Sequence, residues 1–463
     1  MIPRLIYSAE VFYCRSPEEF FFLFSPYMKD IAVMLLSGGE SDCSRYCIAG
    51  WDPIIILKAK GKSGILWSKN EGMRKFSSFQ LIKYIDYLID KIGHPCEEIP
   101  FTGGFLGYVA YEYKNIIEPI LPQTAKDDLK LPDFFWIFPS KVAVFDKTKK
   151  NTAFFFWDFE KTYSPKIELL NNSFSLNSYE FGKIGSNFTK SSYISAIRRI
   201  IRYIRKGDVY QVNLSQRFFA EFHGDPLSLF YKLFISKPAP FYAYINAGDH
   251  YIVSTSMERF LYSNGEKIET RPIKGTRPRG RTEKEDKKYK LDLLKDPKDD
   301  AELSMIVDLL RNDLGKICKP GTVTVKEHKR IETYSYVHHL VSIIEGELIK
   351  KGFSDIIKAT FPGGSITGCP KIRAMEIIDE LEPNVRHLYT GSIGYVGIGH
   401  KLDLSIAIRT LIIKGNFCYY GAGGGIVYDS DPEQEYKETL NKAEVFFDAG
   451  RDEKVCVYKW RTS

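Results

Sequence analysis

The sequence lacks the features that define several classes of protein. Its 8 cysteines among 463 residues are scattered, without a CxxC pair or a compact disulfide spacing, which is typical of free thiols in a reducing compartment. No apolar run reaches the roughly 18 residues that a membrane-spanning helix needs. The N-terminus also lacks a basic segment followed by an apolar stretch and a cleavage site. These absences favour the cytoplasm and no contact with a membrane.

Charge of one sign is not concentrated either. The net charge of +7 is spread over 65 basic and 58 acidic residues, and this balance implies no polyanionic partner. The densest basic run, 271–290, alternates lysines with Glu283, Glu285 and Asp286. Such mixed runs are typical of solvated loops or helix faces, so we expect no nucleic-acid binding. The balance is compatible with a small dianionic substrate in one cleft.

Two glycine-rich stretches lack the residues that nucleotide sites require. FPGGSITGCPK has Gly363 and Gly368 at the spacing of a P-loop, but Cys369 and Pro370 stand where Lys-Ser/Thr is needed. GAGGGIV has Ile426 in place of the last glycine of GxGxxG. Neither stretch predicts ATP or NAD binding, although its backbone N–H groups could cradle an anion.

The length predicts about two or three domains. The first region, 1–185, reads as short strands and helices rich in aromatic residues, and the second, 190–450, as strands and helices in irregular alternation. The polar stretch Asn171–Ser192 is the best candidate for a linker. Irregular alternation favours an α+β fold over a doubly wound parallel sheet.

One segment predicts a helix followed by a two-faced strand. Isoleucines recur at helical spacing within Tyr193–Lys206, and VYQVNLSQRFF follows as a strand. Gln211, Asn213 and Ser215 share one face of that strand, opposite its apolar residues. A wholly polar face indicates either the wall of a cleft or a sheet surface open to solvent.

Two predicted helices each carry a pair of acidic residues. Asp299 and Glu302 are three residues apart, and so are Glu435 and Glu438. Residues at this spacing share a helix face, so the two helices together could hold one hard divalent cation. Taken alone, each pair is also typical of a solvated helix face.

A lysine in TRPIKGTRPRG has two readings. Lys274 lies in a short strand-to-turn context, where a lysine pressed into a site can lose its proton and act as a nucleophile. By composition alone, a surface lysine would be the better prediction. His339 and Arg409 are residue types that bind hydroxyl groups or carboxylates, but each is ordinary when taken singly.

Together these segments resemble the chorismate-utilising enzymes, which include anthranilate synthase component I, aminodeoxychorismate synthase component I, and the isochorismate and salicylate synthases. The resemblance rests on motifs in family order from about 190 to 446: GDVYQVNLSQRF, PIKGTRPRG, AELSMIVDLLRNDLG, YVHHLVS, FPGGSITGCPKIRAMEIIDELEP, GSIGYVG, IAIRTL and GAGGGIVYDSDPEQEYKETLNKA. A fainter resemblance, including SRYCIAGWDP, covers the N-terminal region.

This resemblance implies a fold of two packed, antiparallel-rich β-sheets with helices on the outside. Region 1–185 resembles the N-terminal part of anthranilate synthase component I, and 190–450 resembles the catalytic region that binds chorismate. The resemblance further implies that the two regions form one intertwined globule.

Two positions distinguish the branches of the family. Gln211 stands where isochorismate and salicylate synthases have a water-activating lysine, as in the ammonia-using branch. Lys274 stands where anthranilate synthases usually have alanine, and lysine there is typical of the branch that aminates C4. The resemblance therefore implies a transferase that makes 4-amino-4-deoxychorismate from chorismate and ammonia, for p-aminobenzoate and folate biosynthesis. The alternatives are anthranilate synthase component I of tryptophan biosynthesis and a catalytically idle paralogue that binds tryptophan or a partner.

The resemblance also implies roles for individual residues. Lys274 would attack C2 of chorismate, and Glu258 would be the acid that helps the C4 hydroxyl leave. Magnesium would be the cofactor, bound by Glu302 and Glu438, with Asp299 and Glu435 supporting through water. The substrate would be bound by Gln211, His339, Ser365, Tyr395, Arg409, Gly423, Gly424, Gly425 and Lys442. A candidate tryptophan site would comprise Ser44, Arg45, Pro240, Phe241 and Tyr242.

The sequence departs from the family pattern at two positions, and it lacks the motif of a glutaminase. Met257 replaces the usual proline of SPERF, and Cys369 stands where alanine is common. No glutaminase nucleophile elbow with a Cys/His pair is found in the sequence. The resemblance therefore implies a heterodimer in which a separate glutamine amidotransferase subunit delivers ammonia.

Overall fold

The computed structural model describes residues 2–12, 14–93, 98–160, 175–335 and 337–447. Cys96, Cys456 and the first part of the predicted linker, 171–174, lie outside these ranges.

Twenty-three strands are described. They are β1 (Arg4–Phe12), β2 (Ala32–Leu36), β3 (Tyr46–Lys60), β4 (Ser63–Ser68), β5 (Gly72–Ser77), β6 (Gly104–Val109), β7 (Phe134–Asp146), β8 (Asn151–Asp158), β9 (Tyr179–Phe181), β10 (Gly185–Ser186), β11 (Gln211–Gly224), β12 (Phe241–Asn246), β13 (Tyr251–Ser256), β14 (Arg259–Asn264), β15 (Lys267–Thr270), β16 (Ile273–Pro278), β17 (Thr324–Thr333), β18 (Val337–Glu347), β19 (Gly368–Cys369), β20 (Ser392–Gly397), β21 (Lys401–Ile406), β22 (Thr410–Lys414) and β23 (Phe417–Ile426).

Ten α-helices accompany them in the described ranges. They are α1 (Pro17–Phe24), α2 (Ser78–Lys91), α3 (Lys114–Ile117), α4 (Lys190–Arg205), α5 (Pro226–Ser236), α6 (Glu283–Lys295), α7 (Pro297–Gly315), α8 (Phe353–Thr360), α9 (Lys371–Leu381) and α10 (Pro432–Phe447). Short 3₁₀ helices cover Ser25–Lys29, Tyr111–Tyr113 and Gly364–Ile366. In the described part of the chain, no helix is both long and apolar enough to cross a bilayer.

The strands form an extensive antiparallel sheet system. The ladder between β3 and β7 runs from Tyr46↔Asp146 to Ala59↔Phe134. A second long ladder joins β11 to β23, from Val212↔Ile426 to Glu221↔Phe417. Helices cover this sheet system, so the predicted α+β class is confirmed.

Strands from the two predicted regions pair with each other. Strand β2 pairs with β12, and β6 pairs with β20 along six residues, from Ser392↔Val109 to Gly397↔Gly104. The largest buried hydrophobic cluster accordingly contains Leu106 and Ile137 together with Phe260 and Leu404.

The segment predicted as a linker has regular structure in its described part. It contains β9, β10 and the first residues of α4. The side chain of Thr189 accepts a hydrogen bond from the Ser192 backbone N–H, and the Ser192 side chain completes a capping box. Polar residues that suggest a linker in the sequence therefore start the helix, because caps need the same residue types.

Helix α9 spans Lys371–Leu381, and α4 begins earlier than predicted, at Lys190. The two helices pack together through Ile197, Ile200, Met375 and Ile378, and Leu214 of β11 joins the same buried cluster. This packing fixes the position of β11, the strand that begins with Gln211.

Candidate active site

Lys274 lies in β16, which pairs with β18 through Lys274↔Leu340. Its side chain is only 12% exposed, and its Nζ is 4.0 Å from Oε2 of Glu302. Burial lowers the pKa of this ammonium, although the charges of Glu302 and Glu258 oppose the shift. The structure therefore places Lys274 inside a site and not on the surface.

Glu258 follows β13 and is held by its neighbours. Its backbone carbonyl accepts a hydrogen bond from the Ile406 N–H at 3.0 Å, and Ser365 Oγ donates to its Oε1 at 2.6 Å. Burial raises the pKa of Glu258 to about 7, against the lowering effects of the Ser365 bond and the Lys274 charge. A carboxyl group that titrates near neutrality is suited to general acid catalysis.

His339 lies opposite Thr276 on the paired strands, and its Nδ1 is 3.0 Å from Thr276 Oγ1. Burial, with the nearby charge of Arg409, lowers the pKa of His339 to about 3. The imidazole is therefore neutral, which leaves it able to accept or donate a hydrogen bond. The thioether of Met257 lies 2.7 Å from His339 Nε2, so the departure at 257 forms part of the wall of the site.

Helix α10 brings two predicted metal ligands to the glycine-rich strand β23. A Cβ added at Gly424 would lie 3.1 Å from Glu435 Oε2 and 3.9 Å from Glu438 Oε1. Lys442 Nζ is 2.6 Å from Glu438 Oε1 and donates to the carbonyl of Gly423 at 2.8 Å. Burial would raise the pKa of Glu438, but the Lys442 charge and hydrogen bond bring that pKa below its ordinary value.

Helix α7 supplies the other acidic pair. Burial raises the pKa of Glu302, and the charges of Asp299 and Glu438 raise it further. Asp299 pairs with Arg277 at 3.1 Å and packs against Gly275, where an added Cβ would lie 2.9 Å from its carboxyl carbon.

The acidic residues approach one another without forming a closed metal cage. In the described ranges, no three His, Cys, Asp or Glu side chains are arranged to hold a metal ion. Glu302 and Glu438 nevertheless interact electrostatically across the site. Hard oxygen donors from two facing helices fit a magnesium ion that keeps several waters and takes few protein ligands.

The glycines of β23 let the polar face of β11 pack closely. Asn213 is opposite Gly425 and Ser215 is opposite Gly423. A Cβ at Gly425 would lie 2.1 Å from Gln211 Nε2, so a side chain there would displace the glutamine. Gln211 is buried, and its Oε1 has no hydrogen-bond partner among the described residues. Of the two sequence readings of this polar face, a sheet surface open to solvent is excluded, because Gln211, Asn213 and Ser215 are all buried.

Comparison with known proteins assigns the family. The sequence profile of the chorismate binding enzymes matches residues 33–448. The chain belongs to this family of chorismate-binding enzymes.

Relatives of two activities resemble the chain to a similar degree. Aminodeoxychorismate synthase component 1 of Bacillus subtilis is 38% identical over 428 residues, covering 86% of this chain and 88% of the relative. Anthranilate synthase component 1 of Thermus thermophilus is 40% identical over 364 residues, covering 76% and 78%. Overall identity therefore shows a chorismate-utilising enzyme but does not separate the two activities.

A solved structure agrees with this assignment. Anthranilate synthase component I from Streptococcus pneumoniae superposes with a TM-score of 0.76 at 32% identity, covering 88% of this chain and 93% of that one.

Besides the site around Lys274, this chorismate-binding enzyme has a second cavity, of about 440 Å³, whose lining does not include Lys274. Arg45, Pro240, Phe241 and Tyr242 line it, as predicted for the candidate tryptophan site. Ser44 is not among its lining residues, and Ser44 Oγ instead lies 2.9 Å from Ser41 Oγ. Sequence reasoning missed the buried charges of the cavity wall, Arg259 with Asp403 and Arg271 with Glu269.

Tyr395, predicted to bind the substrate, is among the residues that line this second cavity. It lies on β20, where its ring packs 5.3 Å from that of Phe101. Another tyrosine of the same motif, Tyr389, packs against Gly421 of β23, on the strand of the predicted glycine cradle. The motif LYTGSIGYVG contains both tyrosines, and only the fold determines which of them faces β23.

Proposed function

We propose that this enzyme aminates C4 of chorismate with ammonia to give 4-amino-4-deoxychorismate, a step toward p-aminobenzoate and folate in the cytoplasm. The observation that carries the proposal is the burial of Lys274 between the carboxylates of Glu302 and Glu258. A lysine with a lowered pKa supplies the neutral amine that nucleophilic catalysis needs.

The reaction divides into two displacements. The Lys274 amine bonds to C2 while the C4–O bond breaks, and the Glu258 proton goes to the departing oxygen, which leaves as water. Ammonia then bonds to C4 while the bond from C2 to Lys274 breaks. The new ammonium group returns a proton to Glu258, so that both residues regain their starting states. The sum is chorismate plus ammonia giving aminodeoxychorismate plus water.

The remaining residues bind and orient the substrate. Arg409, whose charge acts on His339, would pair with a substrate carboxylate, and neutral His339 can hydrogen-bond a hydroxyl group. Ser365 orients the Glu258 carboxyl group. Glu302 and Glu438 would hold magnesium, with Asp299 and Glu435 nearby, and the bound ion would offset the charge of the ring carboxylate.

The first test is to identify the product by chromatography and mass spectrometry, with chorismate, magnesium and an ammonium salt. Wild type should give aminodeoxychorismate, and Lys274→Ala should reduce its rate by at least about 100-fold, as expected for loss of a nucleophile. Lys288→Ala, on the exposed surface of α6, is the matched control and should keep the wild-type rate. Chelation of magnesium should abolish the activity, and added magnesium should restore it.

Two results would overturn this proposal. Anthranilate as the wild-type product would assign the chain to tryptophan biosynthesis. Absence of any turnover would favour an idle paralogue.

We also propose that the second cavity binds tryptophan, because Arg45 and the aromatic rings of Phe241 and Tyr242 meet there. Thermal unfolding should then shift upward with tryptophan, and Phe241→Ala should reduce that shift. An unchanged wild-type unfolding temperature would contradict this binding.

A further inference from the structure

A third cavity, of about 460 Å³, lies outside the candidate active site and the second cavity. Its lining includes none of the residues assigned to catalysis, to magnesium or to tryptophan. The 3₁₀ helix Tyr111–Tyr113 and the start of α3 form one wall, and the end of α9 with the segment 382–386 forms another. We call it the Tyr111 cavity.

Two buried polar groups of this cavity wall lack partners. Tyr111 is 2% exposed and Glu112 is 7% exposed. The Tyr111 hydroxyl and Glu112 Oε2 have no hydrogen-bond partner among the described residues. Glu112 Oε1 accepts a hydrogen bond from the Arg386 N–H at 2.9 Å, so the carboxyl group is held in place with one oxygen unpaired. Buried polar atoms normally have a partner, and a bound ligand would supply one here.

Lys114 brings an unpaired positive charge to the same wall. It is only 3% exposed, and its Nζ donates to Asn115 Oδ1 at 2.8 Å. Among the described residues it forms no ion pair. Burial lowers the pKa of Lys114 and raises the pKa of Glu112. Each charged form therefore lacks part of the stabilisation that a counter-ion would give.

The other charged residues of the wall already have partners or lie in water. The partnered groups are Lys60 with Asp127 and Asp133, Arg386 with Glu382, and Asp379 with Thr124. Lys62 is exposed. The groups left for a ligand are thus the ammonium of Lys114, the carboxyl group of Glu112 and the hydroxyl of Tyr111. A small molecule with one carboxylate and one ammonium group complements this set.

We infer that the Tyr111 cavity binds a free α-amino acid, whose carboxylate pairs with Lys114 and whose ammonium group pairs with Glu112. The Tyr111 hydroxyl can donate a further hydrogen bond to the carboxylate. A molecule with only one of the two charged groups would leave Lys114 or Glu112 buried without a counter-ion, which is costly. The cavity therefore selects for both groups together.

Arg386 connects the cavity to the candidate active site. Its backbone N–H donates to Glu112, and its guanidinium donates to the Ile366 carbonyl at 3.0 Å. Ile366 directly follows Ser365, which donates to Glu258. Occupancy of the cavity is therefore expected to change the rate of amination. This expectation rests on the proposed function, whereas the binding itself does not.

The test measures the thermal unfolding temperature with each of the standard amino acids in turn, at about 10 mM. Propionate and ethylamine are measured alongside, because each carries only one of the two charged groups of alanine. Lys114→Met and Glu112→Gln each remove one charged group. Ala125→Phe narrows the cavity and keeps both charged groups, so it serves as the test if either charge variant fails to fold. Phe241→Ala, in the second cavity, is the matched control.

At least one amino acid should raise the unfolding temperature of wild type and of Phe241→Ala by about 1 °C or more. The rise should be lost in Lys114→Met, Glu112→Gln and Ala125→Phe. Propionate and ethylamine should give no such rise. The same amino acid should change the ammonium-dependent rate of wild type at least about twofold and leave the rate of Lys114→Met unchanged.

Several results would overturn the inference. They are no rise in wild type with any amino acid, a rise that persists in the three cavity variants, and an equal rise with propionate or ethylamine. A rise lost only in Phe241→Ala would assign the amino acid to the second cavity and also overturn it. An unchanged amination rate would overturn the coupling through Arg386. Failure of wild type to aminate chorismate would overturn the proposed function, and the unfolding temperatures would still test the cavity.

Discussion

At the scale of single residues, the environment of Glu258 determines how the candidate site responds to pH. The groups that face its carboxyl are the Ser365 hydroxyl, the Lys274 amine and the Ile273 backbone N–H. All three stabilise the charged form, yet burial prevails and raises the pKa to about 7. A general acid must be protonated to act, so the protonated fraction falls as pH rises through this value.

We therefore expect kcat of the wild type to fall as pH rises through about 7. In Ser365→Ala, we expect the same fall to occur at higher pH. The hydroxyl donates to the carboxylate and lowers the pKa of Glu258, so its removal raises that pKa. The displacement should be about one pH unit, which corresponds to the loss of one hydrogen bond to a charged group. The measurement is the pH profile of kcat, with Ser195→Ala on the exposed face of α4 as the control. A fall that stays at its wild-type pH in Ser365→Ala would show that Glu258 does not set the profile.

Residue identities were predictable where a motif carried chemistry and uncertain where two similar residues competed. The acidic pairs stood out through residue type and spacing, whereas Lys274 and Glu258 were assigned through the family motifs that contain them. Tyr395 and Tyr389 are the same residue type six positions apart, and their surroundings depend on how β20 pairs with β6 and β21. Met257 is equally uninformative in sequence, because its contact with His339 comes from a different strand.

At the scale of elements, one buried ion pair at the end of α9 links that helix to β11 and to the 3₁₀ helix that carries Ser365. Arg386 and Glu382 are both buried, with Arg386 Nη2 2.7 Å from Glu382 Oε1. Arg386 also donates to the carbonyls of Asn213 and Ile366, at 2.6 Å and 3.0 Å. Glu382 in turn accepts hydrogen bonds from the backbone N–H and the hydroxyl of Ser215, each at 2.8 Å.

Arg386→Met should lower the free energy of unfolding by about 3–5 kcal/mol, because it leaves Glu382 charged and buried without its partner. Arg199→Ala is the control, since it breaks a half-exposed pair with Glu380 between α4 and α9. Exposed pairs contribute about 1 kcal/mol or less, so the control should change stability little. Urea unfolding monitored by circular dichroism measures both. Equal losses in the two variants would contradict the role assigned to the buried pair.

Elements with a local signal were predicted better than their partners in space. Isoleucine periodicity within Tyr193–Lys206 predicted helix α4, and the residues after it predicted strand β11. The start of α4 was placed too late because Thr189 and Ser192 resemble linker residues until their capping bonds are seen. Strand register depends on pairs distant in sequence, such as Ser215 with Gly423, and no local pattern encodes them.

At the scale of the whole molecule, the family resemblance predicted two regions within one globule, and the observed pairings give that arrangement a physical basis. The β2–β12 and β6–β20 ladders each require one strand from 1–185 and one from 190–450. Separation of the regions would leave unpaired strand edges. The exposed backbone N–H and C=O groups of such edges can pair with other chains, which promotes aggregation. It would also expose the shared core of Leu106, Ile137, Phe260 and Leu404.

We therefore expect the chain to unfold in a single cooperative transition. Of its 5 tryptophans, four (Trp51, Trp67, Trp136 and Trp157) lie in region 1–185, so tryptophan fluorescence reports mainly on that region. Hydrogen exchange of peptides from 211–447, measured by mass spectrometry, reports on the other region. The two probes should give coincident urea midpoints, and a fragment starting at residue 186 should lack protected amides in β12 and β20, whose partner strands it has lost. A fluorescence midpoint well below the exchange midpoint would mean that the N-terminal region unfolds alone and that the shared ladders do not couple the two regions.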